Sequence, residues 1–157
     1  MSCQSYSTTH QPTIPTNNVD AIAGVAVKVV AFLCNWCSYA GADKAGANQL
    51  PVPAELTAIR VMCSGRVEPT MILECFQKGA DGVLVLACHP GDCHYKEGNL
   101  RAYCRAALLE RLVPQLGVDP RRFRFDYVSA AEADRFSQIT NEFVDQVRAL
   151  AVTPFNN

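Results

Sequence analysis

The sequence has almost no surplus of either charge. Its 157 residues hold 14 Lys and Arg against 15 Asp and Glu, a net charge of −1, and only one tryptophan. That balance excludes a strongly basic nucleic-acid binder and leaves no polybasic patch for a membrane surface. Long apolar runs are missing too. The longest, 25–34, has ten residues and is interrupted by Lys28, short of the roughly 18–20 that a membrane span needs. Neither G-x-G-x-x-G nor a P-loop pattern follows any apolar run, so no nucleotide site is read. The acidic residues form no pairing of the hydrolase kind, and no Ser/His/Asp set stands out. Residues 1–16 are Ser-, Thr-, Gln- and Pro-rich and carry neither the apolar core nor the basic start of a secretory signal. A reducing, cytoplasmic setting is therefore expected, with no nucleic-acid or membrane partner.

What the sequence does have is cysteine. There are eight, among 49% apolar and 18% charged residues. That is about 5% of the chain, below the 8–10% of disulfide scaffolds. In a reducing compartment, clustered cysteines point to metal ligands or redox groups rather than to structural bridges.

Residues 1–23 show no period and read as a flexible N-terminal tail, with Cys3 and His10 as bystanders. A C-terminal tail is assigned to 153–157. Between them, 24–152 alternates short apolar runs with helical patterns. Strands are predicted over 25–34, 57–63, 82–88 and 123–128. The fourth is weaker and alternating, whereas runs apolar on both faces, as at 25–34, suit a parallel sheet covered by helices on each side. A helix is predicted from Pro69, with Ile72, Cys75 and Phe76 on its inner face and Gly79 after its end. A second carries Leu100, Cys104, Leu108 and Leu112 every fourth residue, read as its core stripe and widened by Leu109, Val113 and Leu116. Pro114 objects to regular geometry at its end. The capping-box pattern Ser129-x-x-Glu132 opens a third, with Phe136, Ile139, Phe143, Val147 and Leu150 inward. The stretch 38–50, with Gly41 and Gly46, gives the weakest helix signal. The expected fold is α/β: a small, open, mostly parallel four-stranded sheet flanked by helices, with β-α repeated four times.

Three predicted strands end in cysteine, at Cys34, Cys63 and Cys88. In an open parallel sheet the strand C-termini share one edge, where ligands bind. Cys37 completes Cys34-x-x-Cys37 and Cys93 completes Cys88-x-x-x-x-Cys93, so five thiols converge on that edge. Thiolates favour iron–sulfur clusters, zinc and Cu(I), and four suffice for a 2Fe-2S centre or a structural zinc site. Other readings compete. Cys34 and Cys37 alone would suit a thiol-disulfide oxidoreductase, and buried thiols also serve as plain core. The core reading is the expected one for Cys75 and Cys104. The turn at Pro90-Gly91 is expected to fold Cys93 back toward Cys88. His89 and His94 are candidate ligands, polar supports or ordinary loop residues. Trp36 shields the site, faces a partner or simply packs. Gly65 allows a close backbone approach.

The segments Cys34-Asn-Trp-Cys37-Ser-Tyr-Ala-Gly-Ala-Asp43, Arg60-Val-Met-Cys63-Ser-Gly-Arg66 and Gly79-Ala-Asp-Gly-Val-Leu-Val-Leu-Ala-Cys88-His-Pro-Gly-Asp-Cys93-His-Tyr95 resemble the delta subunit of methyl-viologen-reducing hydrogenase, the iron–sulfur subunit of F420-non-reducing hydrogenases. The resemblance runs from about Val27 to Leu150. It implies a small electron-transfer subunit with one 2Fe-2S cluster, non-catalytic by itself and part of an oxidoreductase complex. Such a subunit relays electrons from hydrogenase small and large subunits, or from formate dehydrogenase, to the FAD-containing subunit of heterodisulfide reductase. Electrons are bifurcated there between the CoM-S-S-CoB heterodisulfide and ferredoxin. The family's motif cysteines fall on Cys34, Cys37, Cys63, Cys88 and Cys93, of which four hold the cluster; spacing leaves open which four. A zinc-stabilised scaffold is the remaining alternative.

Overall fold

The computed structural model describes residues 25–152. The tails assigned to 1–23 and 153–157, with Cys3 and His10, lie outside them. Four strands alternate with four helices: β1 (Val29–Cys34), α1 (Ser38–Ala47), β2 (Leu56–Val61), α2 (Pro69–Gln77), β3 (Gly82–Ala87), α3 (Gly98–Leu112), β4 (Phe123–Tyr127) and α4 (Ala133–Val152). The sheet order is β2-β1-β3-β4 and every neighbouring pair is parallel. The predicted α/β fold and its β-α alternation are both present.

The two central strands explain the layering. Along β1 and β3, successive side chains alternate between the faces. Val29, Ala31, Leu33, Leu84 and Leu86 pack on one side with Ala45 of α1 and with Phe136, Ile139, Phe143 and Val147 of α4. Phe32, Val83 and Val85 pack on the other with Ile72 of α2 and Ala106 and Leu109 of α3. Apolar residues on both faces thus yield a sheet sandwiched between helix pairs.

Strand order reverses between β1 and β3. The first connection leads from β1 out to β2, and the next crosses back over β1 to β3. This is the topological switch point, where the carboxyl ends of adjacent strands diverge and open a crevice.

Four expectations are corrected. Residues 25–28 are not strand, and β1 begins at Val29. β2 is an edge strand whose residues Thr57–Arg60 are exposed, so its outer part is not covered on both faces. Cys63 lies two residues past the end of β2, because Met62 leads the chain away from the sheet. In α3 the inward row is Ala102, Ala106 and Leu109, continued by Val113, whereas Leu100, Cys104, Leu108, Leu112 and Leu116 face outward. Ala106, Leu109 and Val113 of the inner row pack in the cluster of Val83, Val85 and Phe123, and the larger leucines are left outside. Pro114 does end the regular helix, which passes into a 3-10 turn over Val113–Leu116.

Candidate metal centre

Cys34 ends β1 and Cys88 directly follows β3, the two strands that flank the switch point. Their sulfurs lie 3.5 Å apart. After β1 the backbone turns tightly, with the Cys37 N–H donating to the Cys34 carbonyl at 3.3 Å. That turn places Cys37 at the N-terminus of α1. The sulfurs of Cys34, Cys37 and Cys88 all lie within 4.8 Å of one another, and all three residues are buried.

Ser38 holds this arrangement. Its fully buried hydroxyl accepts from the Cys34 N–H at 2.8 Å and donates to the Leu86 carbonyl at 2.8 Å. It thereby ties the end of β1 to the end of β3. On the opposite side Asn99, also fully buried, donates through Nδ2 to the Cys88 carbonyl at 3.0 Å and the His89 carbonyl at 2.8 Å. Neither residue stood out in the sequence. The signal that could have found Asn99 is a lone asparagine in the first turn of an apolar-patterned helix.

Cys63 and Cys93 form a second group, with sulfurs 3.9 Å apart. The Pro90-Gly91 turn is present, closed by the Asp92 N–H on the His89 carbonyl with Gly91 at φ 92°. It carries Cys93 to Cys63, where the loop meets the 3-10 turn Ser64–Arg66 and α3 begins. Two glycines permit this packing. A β-carbon on Gly65 would lie 2.8 Å from both the Cα and the carbonyl oxygen of Gly98, and one on Gly98 would overlap the Cys63 sulfur. The close approach expected at Gly65 is real, and Gly98 is its unforeseen partner. The two thiol groups are electrostatically coupled: the Ser64 backbone, next in the chain to Cys63, helps to hold Cys34 low, and the Cys34 charge helps to raise Cys63.

The electrostatics follow from sulfurs crowded in a buried site. Hydrogen bonds from Cys37 and then Cys88 hold Cys34 low, at about 2. The same hydrogen bond to Cys34 pushes Cys37 up to about 12. Cys88 is raised strongly, first by its hydrogen bond to Cys34 and then by that to Cys37. Burial is the first cause that raises Cys63. The three buried sulfurs thus oppose one another's ionisation, with Cys34 favoured as the thiolate and Cys37 and Cys88 disfavoured. A thiophilic metal removes that constraint, because binding displaces the remaining protons.

A further observation fits a bound group. The Ser64 hydroxyl is buried yet has no hydrogen-bond partner among the described residues, and a buried hydroxyl without a partner costs about 1–3 kcal/mol. An inorganic sulfide or a metal-bound thiolate in this neighbourhood is an acceptor of the right kind. The donor set, thiolate sulfur alone, suits iron–sulfur clusters and zinc.

The histidines take other roles. His89 Nε2 lies 2.7 Å from Glu132 Oε2, and the same oxygen accepts the Ser129 N–H at 2.7 Å. His94 stacks on Trp36 with ring centroids 4.0 Å apart. Trp36, Met62 and Tyr95 leave exposed apolar surface beside the thiol loops. Cys75 packs half-buried against the α2/α3 core as expected. Cys104 is exposed and is not core.

A model of the methyl-viologen-reducing hydrogenase delta subunit family matches residues 29–151. The chain is 44% identical over 123 residues to an F420-non-reducing hydrogenase iron-sulfur subunit of Methanococcus voltae, covering 78% of this chain and 85% of that one. It is 45% identical over 127 residues to the corresponding iron-sulfur subunit of Archaeoglobus profundus, covering 81% and 93%. It is also 47% identical over 122 residues to one subunit of the ferredoxin/F420H2-dependent CoB-CoM heterodisulfide reductase of Methanosarcina acetivorans, where the match takes 78% of this chain and 15% of the relative. No helix among the described residues is long and apolar enough to cross a membrane.

Proposed function

The chain belongs to the methyl-viologen-reducing hydrogenase delta subunit family, and on that premise we propose that it is an electron-transfer subunit holding a 2Fe-2S cluster. The ligands are Cys34, Cys37 and Cys88 together with one of Cys63 and Cys93. The observation that carries this reading is the trio of buried sulfurs within 4.8 Å of one another at the switch point. The cluster, when bound, supplies one-electron redox chemistry. The chain's own residues fix everything around it. Ser38 and Asn99 lock the backbone on either side of the trio, and the Ser64 N–H and hydroxyl offer donors that favour added negative charge. Trp36, between Cys34 and Cys37 in the chain, stacks on His94.

The redox partners in this reading are hydrogenase small and large subunits, or formate dehydrogenase, on the donor side. On the acceptor side stands the FAD-containing subunit of a heterodisulfide reductase, where electrons are bifurcated. Relatives named as hydrogenase and as heterodisulfide reductase subunits support these assignments. The cytoplasm is the proposed compartment. Burial of both Cys34 and Cys37 weighs against a thiol-disulfide oxidoreductase, because an exchanging thiol must be accessible.

The test is an anaerobic pull-down of the tagged chain, with EPR of the reduced complex. A 2Fe-2S signal is expected, together with the FAD-containing reductase polypeptide and those of hydrogenase or formate dehydrogenase. A chain purified without either partner and without a paramagnetic reduced state would overturn the reading.

A further inference from the structure

Helix α3 is apolar on two sides, and among the described residues one of them forms core and the other is exposed. Ala102, Ala106 and Leu109 form the buried row. On the other side Leu100, Cys104, Leu108 and Leu112 recur every fourth residue, and Leu116 prolongs the row in the following 3-10 turn. The four leucines are 45%, 54%, 37% and 58% exposed in chain order. From Leu100 to Leu112 the ridge is about 18 Å long at 1.5 Å per residue. Single exposed leucines are ordinary, but an aligned row of this length is not. A helix apolar on both sides is normally covered on both.

The position of the ridge and its charges point to what covers it. It starts at the thiol edge, where Gly98 lies against the Cys63 and Cys93 sulfurs, and runs away from there. Exposed Arg101 and Arg111 flank it, and Glu97 is the acidic residue at its thiol end, 3.8 Å from Arg101. Two copies packed ridge to ridge would bring arginines together. A partner with an apolar groove and a carboxylate rim would match both features.

We propose that this ridge is the docking face for the FAD-containing subunit of heterodisulfide reductase, received in an apolar groove with an acidic rim. The inference rests on the partner assignment made under Proposed function. The relatives in which the matching unit takes 15% of a heterodisulfide reductase polypeptide favour that partner, since there the unit and the rest of the reductase subunit share one chain. Docking along α3 sets the thiol edge at the end of the contact, next to the partner's surface.

The experiment titrates the cluster-loaded, full-length chain against the purified FAD-containing reductase subunit from the same organism, anaerobically, by sedimentation velocity. For Leu108→Glu/Leu112→Glu the dissociation constant is expected to rise at least a hundredfold, while cluster absorbance, EPR and unfolding midpoint match the wild type. Arg111→Glu is expected to slow association and to flatten its dependence on salt. Should the double variant lose its cluster, Arg111→Glu with an intact cluster decides by the same association measurement. Wild-type binding that the variants leave within threefold overturns the docking face alone and leaves the proposed function standing. A wild type that does not bind the reductase subunit overturns both. Wild-type self-association that the double variant abolishes, with reductase binding unchanged, assigns the ridge to a second copy and also overturns the proposal.

Discussion

The sulfurs of Cys34 and Cys88 lie 3.5 Å apart although 54 positions separate them in the chain. Strand order brings them together. β1 and β3 are neighbours in register, so their ends deliver both cysteines to one crevice. Cys37 joins by a local turn, which makes the trio a property of the fold, while Cys63 and Cys93 arrive on loops. Cys34→Ser, Cys37→Ser and Cys88→Ser are each expected to abolish iron retention. Of Cys63→Ser and Cys93→Ser, one is expected to abolish it and the other to leave iron near wild-type content. Iron assay of the five purified variants checks this, and loss in all five would mean that the fifth thiol is also required.

Ser38 gives a test of support without ligation. Ser38→Ala leaves the Cys34 N–H and the Leu86 carbonyl without their buried partner. A cost of roughly 1–3 kcal/mol is expected from such an unmade pairing. Urea unfolding of the cluster-loaded protein should show a lower midpoint with an unchanged slope. Ser38→Cys is expected to recover little, since sulfur is a weaker donor and acceptor.

Gly98 tests the packing of the second thiol group. A β-carbon there overlaps the Cys63 sulfur, so Gly98→Ala must displace either α3 or Cys63. Overpacking of this kind costs typically about 1–3 kcal/mol. Gly46 has open space around its missing β-carbon and serves as the control. Thermal unfolding and iron content are expected to fall for Gly98→Ala and to stay near wild type for Gly46→Ala.

Glu132 sets an acid-side dependence. The Ser129 backbone N–H, and then His89, hold its carboxyl below the usual 4.5. An acid with a depressed folded-state pKa adds stability that is present above its unfolded value and is lost as pH falls through the folded one. Glu132→Ala is therefore expected to be less stable than wild type at pH 7, by less than about 1 kcal/mol because the carboxylate is part-exposed and screened by solvent. The gap should close below about pH 4.5. Chemical denaturation at several pH values reads the difference, and a gap constant with pH would contradict this account.

Much of the fold was legible because β1 and β3 are apolar on both faces and α4 keeps a clean inward row at Phe136, Ile139, Phe143 and Val147. Periodicity misled at α3, where two apolar rows compete. The leucine row looks stronger by hydrophobicity, but Ala102, Ala106 and Leu109 are the row that is buried. The five thiols were legible as one group by strand ends and loops. Their division into a trio and a pair was not, because it depends on where the loop after Gly91 travels. Ser38 and Asn99 act through the backbone of distant residues, and no local pattern announces that.

The most direct test of the central claim is the iron, zinc and acid-labile sulfide content of the anaerobically purified full-length chain, read with its visible spectrum. The account predicts two irons and two sulfides per chain, with visible absorbance that bleaches on reduction. Stoichiometric zinc with no sulfide and no visible absorbance would contradict it.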